Sequence, residues 1–344
     1  MSVRGNSRKF RLALVGVGYW GPNHLRVIED AERAELTWIC DVNQDRLDRL
    51  KPRTVATATS ELDRVLDDPE TDALIVATPM SSHYEIAKRA LEAGKHIMVE
   101  KPLARSSEET AELIDLAAGK GLAIMCGHTF LFSPPVLAIE EMLRRDELGE
   151  IYFVSSSRVN LGLHQRDNSV IWDLAPHDFS ILLNWFDEMP ESVSAVGRDS
   201  IVPGIADVAF VDLSYSSGLI ANVELSWLAP SKLRRTTIVG SQKMVVYDDA
   251  APEQVRVYDH GVVFEDPETF GQYHLSYRTG DILTPKLPTT EPISAQLNAF
   301  LDAVDEGRGP EKYTRIAREV VELIEMAESS LQNDGVRTHL SRIE

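Results

Sequence analysis

The 344-residue sequence predicts an α/β chain in two parts: a parallel sheet with crossover helices, then an α+β part built on an open, mainly antiparallel sheet. Three observations predict it. Short β-branched runs alternate with amphipathic helical stretches up to about residue 145, and longer alternating strands with hairpin turns replace that rhythm from Glu150. The chain also exceeds what one hydrophobic core normally holds, so about two domains are expected. We place them at 1–128 and 129–344, with the last helix able to pack back on the first.

In chain order, "FRLALV" (10–15), "LTWICD" (36–41), "ALIVAT" (73–78), "HIMVE" (96–100) and "LAIMCG" (122–127) read as strands. Helical patterns lie near 22–31, 82–93 and 107–120, the last opened by Ser106 with Glu109 at capping-box spacing. "ALIVAT" and "LAIMCG" are apolar almost throughout, as strands covered on both faces should be. In the second part, a helix is expected over 175–186. "IANVELSW" (220–227) alternates Ala221, Val223, Leu225 and Trp227 with polar residues, a period of two for a sheet with one covered face. "SSG" (216–218) and "GSQK" (240–243) read as hairpin turns. Residues 260–292, rich in Pro, Gly, Asp and Thr, read as an irregular excursion before helical periodicity returns at 293–304 and 315–331.

Charge narrows the partners. Thirty-five basic residues against 54 acidic ones give a formal charge of −19, which disfavours nucleic acid and acidic membrane surfaces. No run approaches the ~20 apolar residues of a membrane span. The basic start leads into a short apolar segment without a cleavage-like site, so a cytoplasmic protein is expected. Cys40 and Cys126 lack metal-ligand spacing and read as buried thiols, and no metal site is expected. The cations Lys232 to Arg235 ("KLRR") could serve a compact anion or belong to a solvated strand or turn edge.

"LALVGVGYWG" carries a full G-x-G-x-x-G, Gly16, Gly18 and Gly21, between a strand and a helix beginning near Pro22. Such glycines allow a tight turn, close approach of a pyrophosphate and close packing of helix on strand, so Gly16, Gly18, Tyr19, Trp20 and Gly21 are candidate cofactor contacts. Asp41, twenty residues past Gly21, ends the second strand, where an acid accepts hydrogen bonds from an adenosine ribose. It would repel a 2′-phosphate, and Val42, Asn43 and Gln44 offer no cation, so NAD is favoured over NADP.

"IWDLAPHD" (171–178) sets Asp173 and His177 one helical turn apart, on one face. Pro176 is expected in the first turn, where its missing donor costs nothing. The pair is then either a structural cap or an active site at the mouth of a buried helix.

"HIMVEKPLA" ends in Glu100-Lys101-Pro102. Taken with the glycine loop, "ATPMSSH" (77–83), "CGHTF" (126–130) and "WDLAPHD", it resembles the glucose-fructose oxidoreductase / inositol dehydrogenase (Gfo/Idh/MocA) family over nearly the whole chain. The resemblance implies an N-terminal Rossmann domain carrying a nicotinamide cofactor, with Thr78, Pro79, His83, Glu100 and Lys101 among its contacts. It also implies a C-terminal sheet that covers the site and forms the interface of a homodimer or homotetramer. Lys101, Asp173 and His177 are the implied catalytic residues, facing an interdomain cleft. The branch it most resembles acts on nucleotide-linked sugars, such as the 3-position of a UDP-N-acetylglucosaminuronate. Arg158 and Asn160, with His164 and Arg166 nearby, are candidate substrate contacts. Leu131 stands where many family members carry arginine.

The implied reaction is hydride transfer between a sugar carbinol or ketone and the nicotinamide. His177 would be the base, Lys101 would stabilise the developing alkoxide, and Asp173 would orient the histidine or a hydroxyl; Lys101 and His177 could exchange roles. A free polyol or aldose substrate, a non-catalytic NAD-binding sensor and a purely structural protein are the alternatives.

Overall fold

The computed structural model describes residues 8–162, 164, 168–265 and 274–340. The chain divides into two compact units, one of residues 1–132 and 290–322, the other of 133–289 and 323–344. The second part therefore does not run unbroken from residue 129: the late helical segment 290–322 belongs to the first unit, a return for which the expected packing-back of the last helix left room.

The first unit holds β1 (Phe10–Val15), α1 (Gly21–Asp30), β2 (Ala34–Cys40), α2 (Gln44–Leu50), β3 (Thr57–Thr59), α3 (Leu62–Leu66) and β4 (Ala73–Val76), then α4 (His83–Glu92), β5 (His96–Glu100), α5 (Ser107–Lys120) and β6 (Ile124–Gly127). Its six strands are all parallel in the order β3-β2-β1-β4-β5-β6. This is the doubly wound order whose direction reverses between β1 and β4, and ligands bind outside the carboxyl ends of strands at such a reversal. Both faces are covered, so Leu12, Leu14, Leu74, Ile75, Ile97 and Val99 are at most 1% exposed. Ser106 caps α5 by accepting from the Glu109 amide at 3.1 Å, as its spacing predicts. Neither α2 nor the short β3 is evident in the apolar pattern of the sequence.

The second unit begins with α6 (Pro134–Arg144), β7 (Ile151–Leu161), α7 (Val170–Phe186), β8 (Ser192–Arg198), β9 (Val208–Ser214) and β10 (Ile220–Ser226). It continues with β11 (Leu228–Gly240), β12 (Met244–Asp248), β13 (Val255–Glu265) and β14 (His274–Leu283). After α8 (Pro292–Glu306) in the first unit, α9 (Glu311–Gln332) leads to the short β15 (Thr338–His339). Nine strands run β14-β13-β12-β11-β7-β10-β9-β8-β15, with β7 and β10 parallel and the other neighbours antiparallel. The alternation in 220–227 is borne out, since Ala221, Val223, Leu225 and Trp227 are at most 1% exposed. The expected excursion at 260–292 is corrected: most of 255–283 pairs as the β13–β14 hairpin. The alternation of "VRVYDHGVVFE" outweighs a turn-rich composition concentrated after residue 279. Among the described residues, no helix is long and apolar enough to cross a membrane.

The helix carrying "IWDLAPHD" also differs from expectation. It begins at Val170, capped by Ser169, whose hydroxyl accepts from the Ile171 amide at 3.2 Å. Pro176 therefore lies inside α7, beyond its first turn. Proline there forfeits the amide that the Trp172 carbonyl would have accepted, a loss that burial of Val170, Ile171, Phe179, Leu182 and Leu183 offsets.

Candidate functional site

In the first unit, the glycine loop has the shape of an anion cradle. Gly16 adopts φ +92°, and a Cβ there would stand 2.6 Å from the Ala77 carbonyl, so the loop after β1 closes onto the loop after β4. A Cβ on Gly21 would stand 2.6 Å from the Gly16 oxygen. At Gly18 the nearest atom is the Arg46 guanidinium at 3.6 Å, so no packing inside the protein demands glycine there. The space is open for a ligand. Beyond it, α1 starts with Pro22 in its first turn, without a side-chain cap and without an acidic residue there, and so offers its amides to an anion. Tyr19 and Trp20, 82% and 43% exposed, meet edge to face on this loop.

Asp41 follows β2 and is buried. Its Oδ2 accepts from the Val17 amide at 2.9 Å and its Oδ1 from the Asn43 amide at 2.8 Å, tying the acid to the loop. Residues 42–44 carry no cation, but α2 brings Arg46 to 3.5 Å from the carboxylate, a neighbour that the sequence reading missed. Asn43 caps α2 by accepting from the Arg46 amide, so the cap fixes where that arginine stands.

At the ends of β4 and β5 the residues brace one another. Thr78 is half-buried and Pro79 exposed. His83, named with them as a cofactor contact, is 1% exposed and sits with Nδ1 2.8 Å from the Pro102 carbonyl and Nε2 2.9 Å from that of Thr78. Burial lowers its pKa, and a neutral ring can donate to only one of those carbonyls at a time. It spans the loop after β4 and the turn after Lys101. That turn contains a cis Lys101-Pro102 bond.

Glu100 is bound to His24 of α1 at 2.8 Å; the histidine is buried and the Glu100 side chain is 12% exposed. Burial pushes its carboxyl up, but the His24 contact and the charges of His24 and Lys101 prevail and hold it below the usual carboxylate range. Lys101 itself is half-buried at the carboxyl end of β5. Behind this pair, His128 is 3% exposed with no hydrogen-bond partner at either ring nitrogen. Burial first, then the Lys101 charge, lowers its pKa to about 4. Leu131 is buried in the turn that follows.

In the second unit, Asp173 and His177 lie one turn apart on α7, and both are half-buried. Asp173 does not cap the helix, a role that Ser169 takes. Its Oδ2 accepts from the indole N–H of Trp227 at 3.0 Å, a contact that nothing in the sequence pattern announces. Arg158 is not at an open surface. It is 4% exposed and pairs with Asp178, Nε to Oδ2 at 2.5 Å, while Ser156 donates to the same carboxylate at 2.7 Å. Asn160 is half-buried near the end of β7. The ring of His164 packs 5.4 Å from that of Trp227, and Arg166 lies outside the described residues. Of the Lys232 to Arg235 cluster, Arg234 is paired with Asp249 at 3.1 Å, and the whole cluster lies within β11. Among the described residues no cluster of three His, Cys, Asp or Glu could hold a metal.

Known proteins fit this geometry. Residues 10–128 match the family model described as an oxidoreductase family, NAD-binding Rossmann fold, and residues 136–246 match the GFO/IDH/MocA C-terminal domain. UDP-N-acetylglucosamine 3-dehydrogenase of Acidithiobacillus ferrooxidans is 28% identical over 239 residues, 69% of this chain and 74% of its own. D-apiose dehydrogenase of Paraburkholderia graminis is 25% identical over 232 residues, 64% and 61% of the two chains. Among solved structures, GenD2 from gentamicin A biosynthesis, in complex with NAD, superposes with a TM-score of 0.83 at 23% identity, covering 97% of each chain. A glycine cradle at the β1–β4 reversal, an EKP turn at the end of β5 and matching models for both parts make this chain a member of the Gfo/Idh/MocA oxidoreductase family, with an NAD-binding Rossmann domain.

Proposed function

We propose that the protein is a dehydrogenase of a nucleotide-linked sugar that uses NAD in preference to NADP, oxidising a ring hydroxyl such as the 3-position of a UDP-N-acetylglucosaminuronate or a close relative. The observation that carries it is Lys101, half-buried beside the ionised Glu100 at the sheet edge where the glycine loop also opens. Bound nicotinamide supplies the hydride acceptor. For the hydride to leave carbon, the hydroxyl proton must leave oxygen, and His177 takes it. Lys101 orients that hydroxyl and stabilises its developing charge. Asp173 holds the imidazole or a neighbouring hydroxyl, and Asn160 is a substrate contact. Arg158 is left out, since Asp178 engages it. The 28% identity to a UDP-N-acetylglucosamine 3-dehydrogenase supports the sugar class.

In this reading two or four copies associate through the outer face of the nine-stranded sheet. Support comes from Phe153 beside Ile220 and Val196 beside Phe210, all 43–54% exposed. Such cross-strand apolar pairs are what an interface would cover.

Formation of NADH with UDP-N-acetylglucosamine and its uronate, set against myo-inositol and glucose, tests the assignment. Lys101→Ala and His177→Ala are each expected to lower kcat about a hundredfold or more while NAD still binds. Loss of His177 should remove a limb near neutrality from the pH profile. Efficient turnover of a free sugar with none on the nucleotide sugars would replace the reading with a polyol dehydrogenase, and near-wild-type oxidation by the double variant would refute the catalytic assignment.

A further inference from the structure

The indole of Trp227 makes a contact that packing does not require. Trp227 occupies the one-residue step between β10 and β11, and its backbone is held on both sides: its amide donates to the Asp207 carbonyl at 2.9 Å and its carbonyl accepts from Gly162 at 3.0 Å. Its side chain is 1% exposed. A buried indole N–H needs an acceptor, and a backbone carbonyl usually suffices. Trp185, further along α7, does this by donating to the Val136 carbonyl at 3.0 Å. Trp227 instead donates to Oδ2 of Asp173, a half-buried carboxylate one turn before His177.

Gly162 makes the room for it. A Cβ at residue 162 would stand 2.8 Å from the indole Cδ1 and 3.1 Å from the Asn160 Oδ1. Any side chain there would push the indole off its line to Asp173. The end of β7, the step between β10 and β11 and the first turn of α7 thus meet in one contact made to an acid that the proposed reaction uses.

We propose that Trp227 is a positioning residue: its N–H fixes the Asp173 carboxylate in its working orientation, and Gly162 is the clearance that allows this. The proposal rests on the assignment of Asp173 to the dehydrogenase site. An exposed carboxylate rotates between rotamers, whereas one held by a rigid, buried donor arrives at the substrate already oriented. The effect should therefore appear mainly in KM and require the N–H, not the bulk of the ring.

The test measures KM and kcat for NAD-dependent oxidation of UDP-N-acetylglucosamine and its uronate, with melting temperature followed alongside. Trp227→Phe removes the donor. A benzothienylalanine at position 227, with sulfur in place of the N–H, keeps the ring and serves if the phenylalanine variant folds poorly. Both are expected to raise KM about tenfold with a smaller change in kcat, and Gly162→Ala should do the same with the N–H still present. In an Asp173→Ala background, Trp227→Phe should change KM less than twofold, because the acceptor of the indole N–H is already gone.

Effects of Trp227→Phe and Asp173→Ala that multiply independently would overturn the proposal. So would a wild-type KM in the benzothienyl variant when Asp173→Ala alone raises KM. If Asp173→Ala has wild-type kinetics, the site assignment itself falls, and the proposal with it; if the wild-type protein oxidises a free sugar and neither nucleotide sugar, only the substrate reading falls, and the same comparisons made on that free sugar decide the proposal.

Discussion

His128 predicts a specific dependence of stability on pH. Its imidazole is 3% exposed, lacks a hydrogen-bond partner on either nitrogen, and has its pKa lowered by burial, and by the Lys101 charge, from 6.5 to about 4. Because the folded value lies below the unfolded one, its contribution is complete above pH 6.5 and is lost as the pH falls toward 4, where the unfolded chain takes up the proton first. Across that whole window the loss is about 3 kcal/mol, and between about pH 7.5 and about 5.5 it is about 1 kcal/mol. The narrower interval stays above the sequence pI of about 4.9, where net charge vanishes. His83 and His96, also lowered by burial, act in the same direction, while Glu319 and Glu328, raised by burial, act in the opposite one. Comparison with His128→Gln separates the effect, since the amide cannot titrate. Urea unfolding at both pH values, followed by a probe in the first unit, should show the variant losing about 1 kcal/mol less than the wild type. Equal losses in the two proteins would mean that His128 is not a buried, neutral group.

Three further outcomes follow from other contacts. Asp41→Ala frees Arg46, 3.5 Å away, to meet a 2′-phosphate, so NADP affinity should rise about tenfold or more, and adding Arg46→Ala should reverse the gain; paired NAD and NADP titrations measure this. Gly18→Ala should weaken NAD binding with little change in melting temperature, whereas Gly16→Ala, whose Cβ would stand 2.6 Å from the Ala77 backbone, should lower the melting temperature outright. Arg158→Ala strands the buried Asp178 carboxylate and should cost about 3–5 kcal/mol by denaturant unfolding, while Arg158→Met with Asp178→Leu should recover most of it.

Much of the first unit was legible because its signals are local. Gly16 must take a positive φ, Ser106 must accept an amide, and a strand covered on both faces must be apolar throughout; each demand falls on residues close in sequence. The misreadings arose where a local signal was ambiguous or a partner lay far along the chain. Pro176 reads as a helix start, yet Ser169 followed by Val170-Ile171-Trp172 is the stronger start, and a well-buried helix tolerates the proline. Arg46 was missed because α2 is mostly polar, and its place beside Gly18 depends on that helix's N-terminal cap. Residues 133 to 289 set the contacts of Asp173 through Trp227, 54 positions away, a distance over which no spacing rule operates.

The two aspartates of "IWDLAPHD" show how a helix sorts one motif into separate tasks. At about 100° per residue, Asp173 and His177 stand about 40° apart around the axis of α7, whereas Asp173 and Asp178 stand about 140° apart. The first two therefore share a face, and Asp178 turns toward the sheet, where Ser156 and Arg158 of β7 hold it. A buried carboxylate needs a cation and a donor. Arg158 meets that need and is thereby withdrawn from any substrate. Asp173 and His177, on the other face, stay half-buried rather than buried, and the charge on Asp178 is neutralised without drawing on them.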